Sequence, residues 1–337
     1  MSDSADDLDS DKYERYAERF DSGQVSQSLR RQRKQQARTK SQIVTELAEP
    51  TGLEAGFVTT YQPARYEAEW LLSSLRMFYD EQLISDVLAQ VKGGKEASVY
   101  RCAALPVTGA TLLAAKVYRP RMFRNLRNDK VYREGRAILT SEGSAVKKTD
   151  HRIMRAIGKK TAFGEQVKHT SWVMYEYTTM QRLHQAGAAV PAPIAAGENA
   201  ILMGYYGDER RAAPTLSEVS LARGEAKPLF QEALRNIELL LQHGLIHGDL
   251  SAYNILYWQG RIVLIDFPQV VSLQANSSSA AILHRDITRV CEYFARQGVA
   301  CTPDAITHDL WLRYGPSEED EAEKRSMLAD AIEDETL

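Results

Sequence analysis

Cysteine is scarce in this chain, and neither a long apolar run nor an apolar leader is found in it. The 337 residues include three cysteines, Cys102, Cys291 and Cys301, which lack the CxxC or CxxH spacing of a zinc site. We therefore expect no zinc site and no disulfide framework, and a reducing compartment fits better. No apolar segment approaches the roughly 20 residues that cross a bilayer, and the start, MSDSADDLDSDKYERY, is acidic. We expect a cytoplasmic protein without membrane contact.

Charge is nearly balanced overall, with a formal net charge of -3, but it is unevenly distributed. Residues 1–55 are poor in large apolar side chains and include the basic run RRQRKQQARTK at 30–40, so we predict a disordered arm. Segment 116–168 has 15 Lys and Arg against 5 Asp and Glu, and we predict a flexible basic loop at 120–165. An ordinary solvated spacer or loop would explain the composition of both regions. The alternative is an RNA or ribosomal partner, or an acidic protein substrate, bound through 30–40 and 120–168.

The apolar pattern predicts helices and short strands in one mixed fold. The predicted helices cover residues 66–84, 166–186, 227–243 and 281–298, and predicted turns lie at PVTGA (106–110), Glu198–Asn199 and Gln259–Gly260. Gly187 and Gly244 are expected to end the second and third helices.

Polar residues at the ends of apolar strands carry the chemistry. In LIHGDLSAYNILYWQGRIVLIDFPQ (245–269), Asn254 follows Asp249 by five residues and Asp266 ends the next apolar run. This D-x-x-x-x-N spacing, then a hairpin and a strand-terminal aspartate, is the kinase catalytic arrangement. Asn254 and Asp266 offer the hard oxygen ligands that Mg²⁺ prefers, and Asp249 is placed to accept the proton of an attacking hydroxyl. Helix or turn caps in an ordinary sheet are the alternative explanation.

An upstream glycine loop and a strand lysine complete the pattern. Gly94 lies in GGKEASVY (93–100), where glycines let backbone N–H groups approach phosphates. Lys116 lies on a later apolar strand, and a buried lysine needs a partner. Phosphates and a helix carboxylate would supply it, and Glu176 is the candidate with Glu165 as its competitor. A strand lysine that extends to solvent is the ordinary alternative.

These residues belong to five motifs that together resemble the RIO-type atypical serine/threonine protein kinases, most closely the first RIO subfamily and its bacterial relatives. The motifs are GGKEASVY, AAKVY, LMGYYGDE with AAPTL, HGDLSAYNIL and IDFPQ, and they extend the resemblance from about residue 80 to 298. The resemblance implies an α+β, bilobal protein-kinase-like fold, with an N-lobe of mainly antiparallel sheet plus a helix and a mainly helical C-lobe. The implied segments are a helical segment at 56–90, an N-lobe at 91–205, a C-lobe at 206–300 and an acidic helix or tail at 301–337.

The resemblance also implies cofactors and contacts. It implies ATP with Mg²⁺, or Mn²⁺ in its place, and phosphoryl transfer to Ser and Thr hydroxyls, including autophosphorylation. The implied catalytic residues are Asp249 and Lys116, and the implied metal ligands are Asn254 and Asp266. The residues expected to hold the nucleotide are Gly94, Lys95, Ser98, Val99, Lys116, Glu176, Met203 and Tyr205.

The chain departs from ordinary kinases at two places. Gly204 stands in the expected hinge, where adenine contacts use backbone groups. IDFPQ has Pro268 where the DFG motif has glycine, and proline fixes its own φ and restricts Phe267, so a swinging loop is not expected. No APE motif is present, so peptide substrates must be held otherwise.

Three other functions remain open on the sequence. A nucleotide-driven ATPase switch that acts on an RNA or ribosomal partner is the main alternative. A small-molecule kinase of the aminoglycoside or choline type shares H-G-D-x-x-x-x-N, but the GKEAxVY loop and Ser251-Ala252 argue against it. A non-catalytic scaffold is disfavoured because Lys116, Asp249, Asn254 and Asp266 are all present.

Overall fold

A computed structural model describes most of the chain between residues 57 and 317. The described residues are 57, 59–119, 132, 134, 136–147, 149–159, 161–222 and 224–317. The predicted disordered arm at 1–55, its basic run and the acidic end from 318 onward lie outside them, as does all of 120–131. The described chain divides into two compact units.

The described residues of the first unit lie within 1–124, 137–175 and 194–202. Its helices and strands, three of which extend into the second unit, are α1 (Arg65–Asp80), β1 (Ile84–Gly93), β2 (Ala97–Ala104), β3 (Leu112–Tyr118), α2 (His151–Gly158), α3 (Ala162–Gln185), β4 (Pro193–Ala196) and β5 (Ala200–Gly204). The strands form one five-stranded sheet in the order β1-β2-β3-β5-β4. The pairs β1–β2 and β2–β3 are antiparallel.

The core of the first unit lies between α1 and one face of this sheet. Leu71, Leu75 and Phe78 of α1 are fully buried, because their spacing puts them on one side of the helix. They pack in a single cluster with Ile84, Val87, Tyr100, Cys102, Leu113, Ala115, Val117, Ala200 and Leu202. The predicted helix at 66–84 is confirmed but ends earlier, at Asp80, because Gln82 takes a left-handed conformation with φ 60°.

The described residues of the second unit lie within 125–136, 176–193 and 203–337. Its remaining elements are α4 (Ala226–Gln242), β6 (Leu245–Ile246), β7 (Ile255–Trp258), β8 (Arg261–Leu264), β9 (Val271–Ser272), α5 (Ser279–Arg296) and α6 (Pro303–Tyr314). The strands form two small antiparallel ladders, β6 with β9 and β7 with β8.

The predicted helices of the second unit are confirmed within two residues. Helix α4 buries Leu229, Ala233, Ile237, Leu240 and Leu241 on one face, which is the stripe that its sequence indicates. Its chain reverses at Gly244, the predicted stop, which has φ 68°. The Gln259–Gly260 turn also forms as predicted, with both residues at positive φ, as the tight turn of a two-residue hairpin requires.

Part of the segment predicted as a flexible basic loop is described. Helix α2 begins after Asp150, whose side chain accepts a hydrogen bond from the backbone of Ile153. The helix has no buried residue, and Arg152 and Arg155 are exposed. None of the described helices is long and apolar enough to cross a membrane.

Candidate active site

The strand lysine lies in the first unit and is buried. Lys116 of β3 is 7% exposed and pairs in register with Val99 of β2. Its Nζ atom lies 5.4 Å from the centre of the Tyr118 ring. The lysine does not extend to solvent, because both faces of β3 are covered.

The glycine loop is the tight turn between β1 and β2. Gly94 N–H donates to the Ala97 carbonyl at 2.9 Å, and a Cβ on Gly94 would lie only 2.7 Å from that oxygen, so glycine is needed there. Lys95 at the turn is exposed. Ser98 is fully buried and shares the core face with Tyr100, whereas Val99 and Lys116, directly opposite each other, share the other face. The contacts of these residues with phosphate stay predictions.

The β7–β8 hairpin brings Asn254 and Asp266 to the same end of a ladder. Ile255 pairs with Leu264, and Ile265 N–H donates to the Asn254 carbonyl at 3.0 Å. Asp266 is therefore the residue next to the one paired with Asn254, although twelve residues separate them in sequence. The apolar strands hold these two polar residues at one edge, as their positions at strand ends predicted.

Asp249 lies half-buried in the same unit, with both of its carboxylate oxygens engaged. Asn254 donates through Nδ2 to the Asp249 carbonyl at 2.8 Å and to Oδ2 at 3.2 Å. Arg289 of α5 donates to Oδ1 at 2.8 Å. Both bonds of Asn254 use the amide nitrogen, so the amide oxygen, which is the atom able to bind a hard cation, is not consumed by them.

Asp266 is exposed and has an unusual backbone conformation, with φ 72°. A non-glycine residue in the left-handed region persists only when its surroundings hold it there, and such residues cluster at functional sites. Hydrogen bonds hold the residues on either side of Asp266. His247 Nε2 donates to the Ile265 carbonyl at 3.2 Å, and Phe267 N–H donates to Glu176 Oε1 at 3.3 Å.

The two glutamates proposed as partners of the lysine lie in different surroundings. Glu176 is 2% exposed and reaches the loop that follows Asp266 through its bond to Phe267. Glu165, near the start of α3, forms a local ion pair of 3.2 Å with Lys168. Which of the two glutamates pairs with Lys116 stays a prediction.

The residues predicted to hold adenine lie at and after the end of β5. Met203 and Tyr205 are both partly exposed, and Gly204 between them donates to the Ala192 carbonyl at 2.8 Å. Tyr205 donates through its hydroxyl to the Asp208 carbonyl at 3.2 Å. No described contact tests adenine binding there.

Sequence reasoning missed the residue that supports the catalytic loop. Asp286 of α5 is 2% exposed and accepts from Gly248 N–H at 2.8 Å, one residue before Asp249. Arg285 binds Asp286 at 3.2 Å and also donates to the Gly248 carbonyl. Burial raises the pKa of the Asp286 carboxyl, and the nearby charges of His247 and Arg285 oppose this shift. A sequence signal existed, because Asp286 interrupts the apolar stripe of α5.

Replacing Asp286 by asparagine is expected to lower the free energy of unfolding by about 1–3 kcal/mol. Asparagine keeps the side-chain volume but offers a single acceptor oxygen. In the parent protein, Gly248 and Arg285 each bind a separate carboxylate oxygen of Asp286. Urea unfolding at neutral pH measures the loss. Glu292→Gln, which neutralises an exposed carboxylate on the same helix, is the matched control and should unfold like the parent. Equal midpoints for all three proteins would contradict the role given to Asp286.

The donor set at the end of the hairpin fits a magnesium ion. An amide oxygen and an exposed carboxylate are hard ligands, and Mg²⁺ usually takes few protein ligands and leaves the rest to water and phosphate. The described residues contain no cluster of three or more His, Cys, Asp or Glu that could form a fuller metal cage. A soft, tightly enclosed metal such as structural zinc does not fit this site.

Comparison with known proteins decides the family. The family model described as RIO domain matches residues 111–306, which is more than half of the chain and includes Lys116, Asp249, Asn254 and Asp266. The chain belongs to the RIO family. The resemblance drawn from the five motifs is thereby confirmed at the level of the family.

Curated relatives of this RIO-family chain carry kinase names. It is 28% identical over 240 residues to the serine/threonine-protein kinase RIO1 of Chaetomium thermophilum, covering 68% of this chain and 43% of that one. It is 34% identical to the Rio1 kinase of Haloferax volcanii, and the match covers 40% of this chain and 46% of that one. It is 30% identical to the RIO3 kinase of Mus musculus, and that match covers 38% of this chain and 25% of the relative. The chain therefore spans less than half the length of these relatives.

A solved structure shows the same fold. The Rio2 kinase of Chaetomium thermophilum, in a complex described as ADP/Mg²⁺-phosphoaspartate, matches with a TM-score of 0.50 and 21% identity. The match covers 82% of this chain and 75% of that one. It confirms the predicted α+β, bilobal kinase-like fold of the RIO-family chain.

Proposed function

We propose that this RIO-family chain is an ATP- and Mg²⁺-dependent protein kinase that phosphorylates Ser and Thr hydroxyls, including its own. The observation that carries the proposal is the arrangement around Asn254. The amide nitrogen of Asn254 binds Asp249, and the register of the hairpin sets Asn254 beside Asp266. In this proposal the three residues act as a proton acceptor and two oxygen ligands, which phosphoryl transfer requires in a fixed relation to one another.

Each residue has a distinct task in this proposal. Asp249 accepts the proton of the acceptor hydroxyl, and its bonds to Asn254 and Arg289 fix the direction in which its carboxylate points. Asn254 and Asp266 supply oxygen ligands, and bound Mg²⁺ would neutralise the phosphate charge of ATP. Lys116 binds phosphate oxygens, and Glu176 holds both the lysine and the loop after Asp266. Met203 and Tyr205 bind adenine in this proposal.

The finer assignment is to the first RIO subfamily. Relatives named RIO1 or Rio1 from fungi and archaea support it at 28–34% identity. RIO3 kinases from mammals match at 30%, so the assignment rests on the motifs as well as on these names. We also propose a cytoplasmic location, which the three free thiols favour.

A γ-labelled ATP assay tests the proposed kinase. We expect Mg²⁺-dependent label on Ser or Thr residues of the chain, stable to acid and located by mass spectrometry. Calorimetric titration with ADP, with and without Mg²⁺, gives nucleotide binding independently of turnover. A chain that binds no nucleotide in the presence of Mg²⁺ or Mn²⁺, and transfers and hydrolyses none, would sink the proposal.

A nucleotide-driven ATPase switch is the second candidate, and helix α2 favours it. The helix exposes Arg152 and Arg155 and has no buried residue, so it can bind a polyanion such as RNA of a ribosomal partner. The complex of the Rio2 relative is described with a phosphoaspartate. Free phosphate without labelled Ser or Thr, and acid-labile label on Asp266, would favour the switch over the kinase.

A further inference from the structure

The loop that follows Asp266 is bound by an arginine that lies 130 residues earlier in the sequence. Arg136 Nη2 donates to the Pro268 carbonyl at 2.8 Å and to the Val270 carbonyl at 2.6 Å. Pro268 and Val270 are buried, and Arg136 is half-buried. All three residues belong to the second unit, so the contacts lie within one compact body.

These two bonds act on the segment in which Asp266 is strained. One guanidinium nitrogen binds two carbonyls that lie two residues apart, and it therefore fixes the turn between them. A bond from Val270 N–H to the Phe267 carbonyl, at 3.3 Å, closes the same turn. Hydrogen bonds from a charged donor are about twice as strong as neutral ones. Asp266 at φ 72° directly precedes this turn, and such a conformation needs bonds that over-determine it.

Neighbours of Arg136 bind the same unit at two further points. Arg285 Nη1 donates to the Tyr132 hydroxyl at 2.9 Å, and its guanidinium lies 5.9 Å from the centre of that ring. Arg285 is also the residue that binds the Gly248 carbonyl. Ser277 donates to Glu134 at 2.8 Å, just before α5. Tyr132, Glu134 and Arg136, which we call the strap, thus join the middle of the basic segment to the catalytic and metal loops.

We propose that Arg136 is a positioning residue for the metal-binding carboxylate of Asp266, acting through the carbonyls of Pro268 and Val270. The inference rests on the proposed function, since it concerns Mg²⁺ at that site. It assigns a task to the basic segment that its charge alone does not indicate. The guanidinium contributes no metal ligand; it restricts the backbone from which the ligand extends, as supporting residues around metal sites do.

The test separates metal binding from nucleotide binding. The full chain and its Arg136→Ala variant are titrated calorimetrically with ADP in EDTA and then at a series of Mg²⁺ concentrations. We expect the Mg²⁺ concentration at the midpoint of metal-enhanced binding to rise about tenfold in the variant, which is the usual effect of losing such a support. The ADP affinity in EDTA should be unchanged, because Arg136 acts on the metal ligand alone.

Two further variants keep the test decisive. Arg136→Lys retains a cationic donor without the planar fork, and it should give an intermediate midpoint. Arg296→Ala removes an equal charge from the exposed end of helix α5 and should titrate like the parent. If Arg136→Ala does not fold, Arg136→Lys carries the comparison.

The outcomes of this test separate the inference from the function on which it rests. An unchanged Mg²⁺ midpoint in each folded Arg136 variant, whatever its thermal stability, would overturn the positioning role. An equal weakening of ADP binding in EDTA and in Mg²⁺ would do the same, because it indicates a general structural defect. A parent chain without any Mg²⁺-dependent nucleotide binding would instead overturn the proposed function.

Discussion

Replacing Asp249 by asparagine is expected to lower the rate of phosphoryl transfer by at least about a hundredfold, the usual contribution of a general base. Asparagine keeps the size of the side chain and can still accept a hydrogen bond from Arg289, but it cannot take the proton of the acceptor hydroxyl. Nucleotide affinity should be retained, because Asn254 and Asp266 are the proposed metal ligands and are unchanged. The expected phenotype is therefore a folded chain that binds ADP with Mg²⁺ and transfers almost no phosphate.

Initial rates of label transfer at saturating ATP and Mg²⁺, together with calorimetric ADP binding, check this expectation. Glu292→Gln neutralises an exposed carboxylate on α5, one turn beyond Arg289, and serves as the control for charge. A wild-type transfer rate in Asp249→Asn would remove Asp249 from its proposed role. Loss of ADP binding as well would place Asp249 in nucleotide binding and not in proton transfer.

Replacing Gly248 by alanine is expected to lower the free energy of unfolding by about 4 kcal/mol or more, a magnitude reached only when a substitution forces a direct clash or strain. Gly248 has φ 84°, and a Cβ there would lie 2.0 Å from the Gln269 carbonyl oxygen. The obstacle is backbone, so no side-chain rotation relieves it. The displaced chain would also lose the bond from Gly248 to Asp286.

Gly260→Ala is the matched control for this substitution. Gly260 has a similar φ of 76°, but nothing lies within 4 Å of a Cβ built there. Its alanine variant should therefore lose only the cost of the left-handed conformation, about 1–2 kcal/mol. Urea unfolding of both variants measures the difference. Equal losses at the two positions would show that the contact with Gln269 contributes nothing and that the catalytic loop can shift at little cost.

Much of the fold follows from local patterns in the sequence. The stripe of α4 and its stop at Gly244, and the hairpin turn at Gln259–Gly260, were predicted and are confirmed, because apolar spacing and turn chemistry act over a few residues. The neighbourhood of Asn254 and Asp266 was predictable for the same reason. A two-residue turn fixes the register of a hairpin, and the register fixes which residues meet at its end.

Contacts between distant segments left little or no signal. The strap binds through Arg136, which is one of fifteen basic residues in its segment, and nothing in that composition marks it. Arg289 lies 40 residues after the carboxylate that it binds. Asp286 could have been found, because a carboxylate on an apolar helix stripe must be paired when buried.

The sequence by itself determined four of the helices, the Gln259–Gly260 turn, the family and the chemical types gathered in HGDLSAYNIL and IDFPQ. The tertiary structure alone decided that Asp266 takes a left-handed conformation, that Ser98 turns to the core face, and that Asp286 and Arg136 hold the two loops. The physical reason is the separation along the chain between the residues that interact. Helix stripes and hairpin turns depend on neighbours along the chain, whereas loop conformation depends on hydrogen-bond partners that only the folded chain brings within 3 Å.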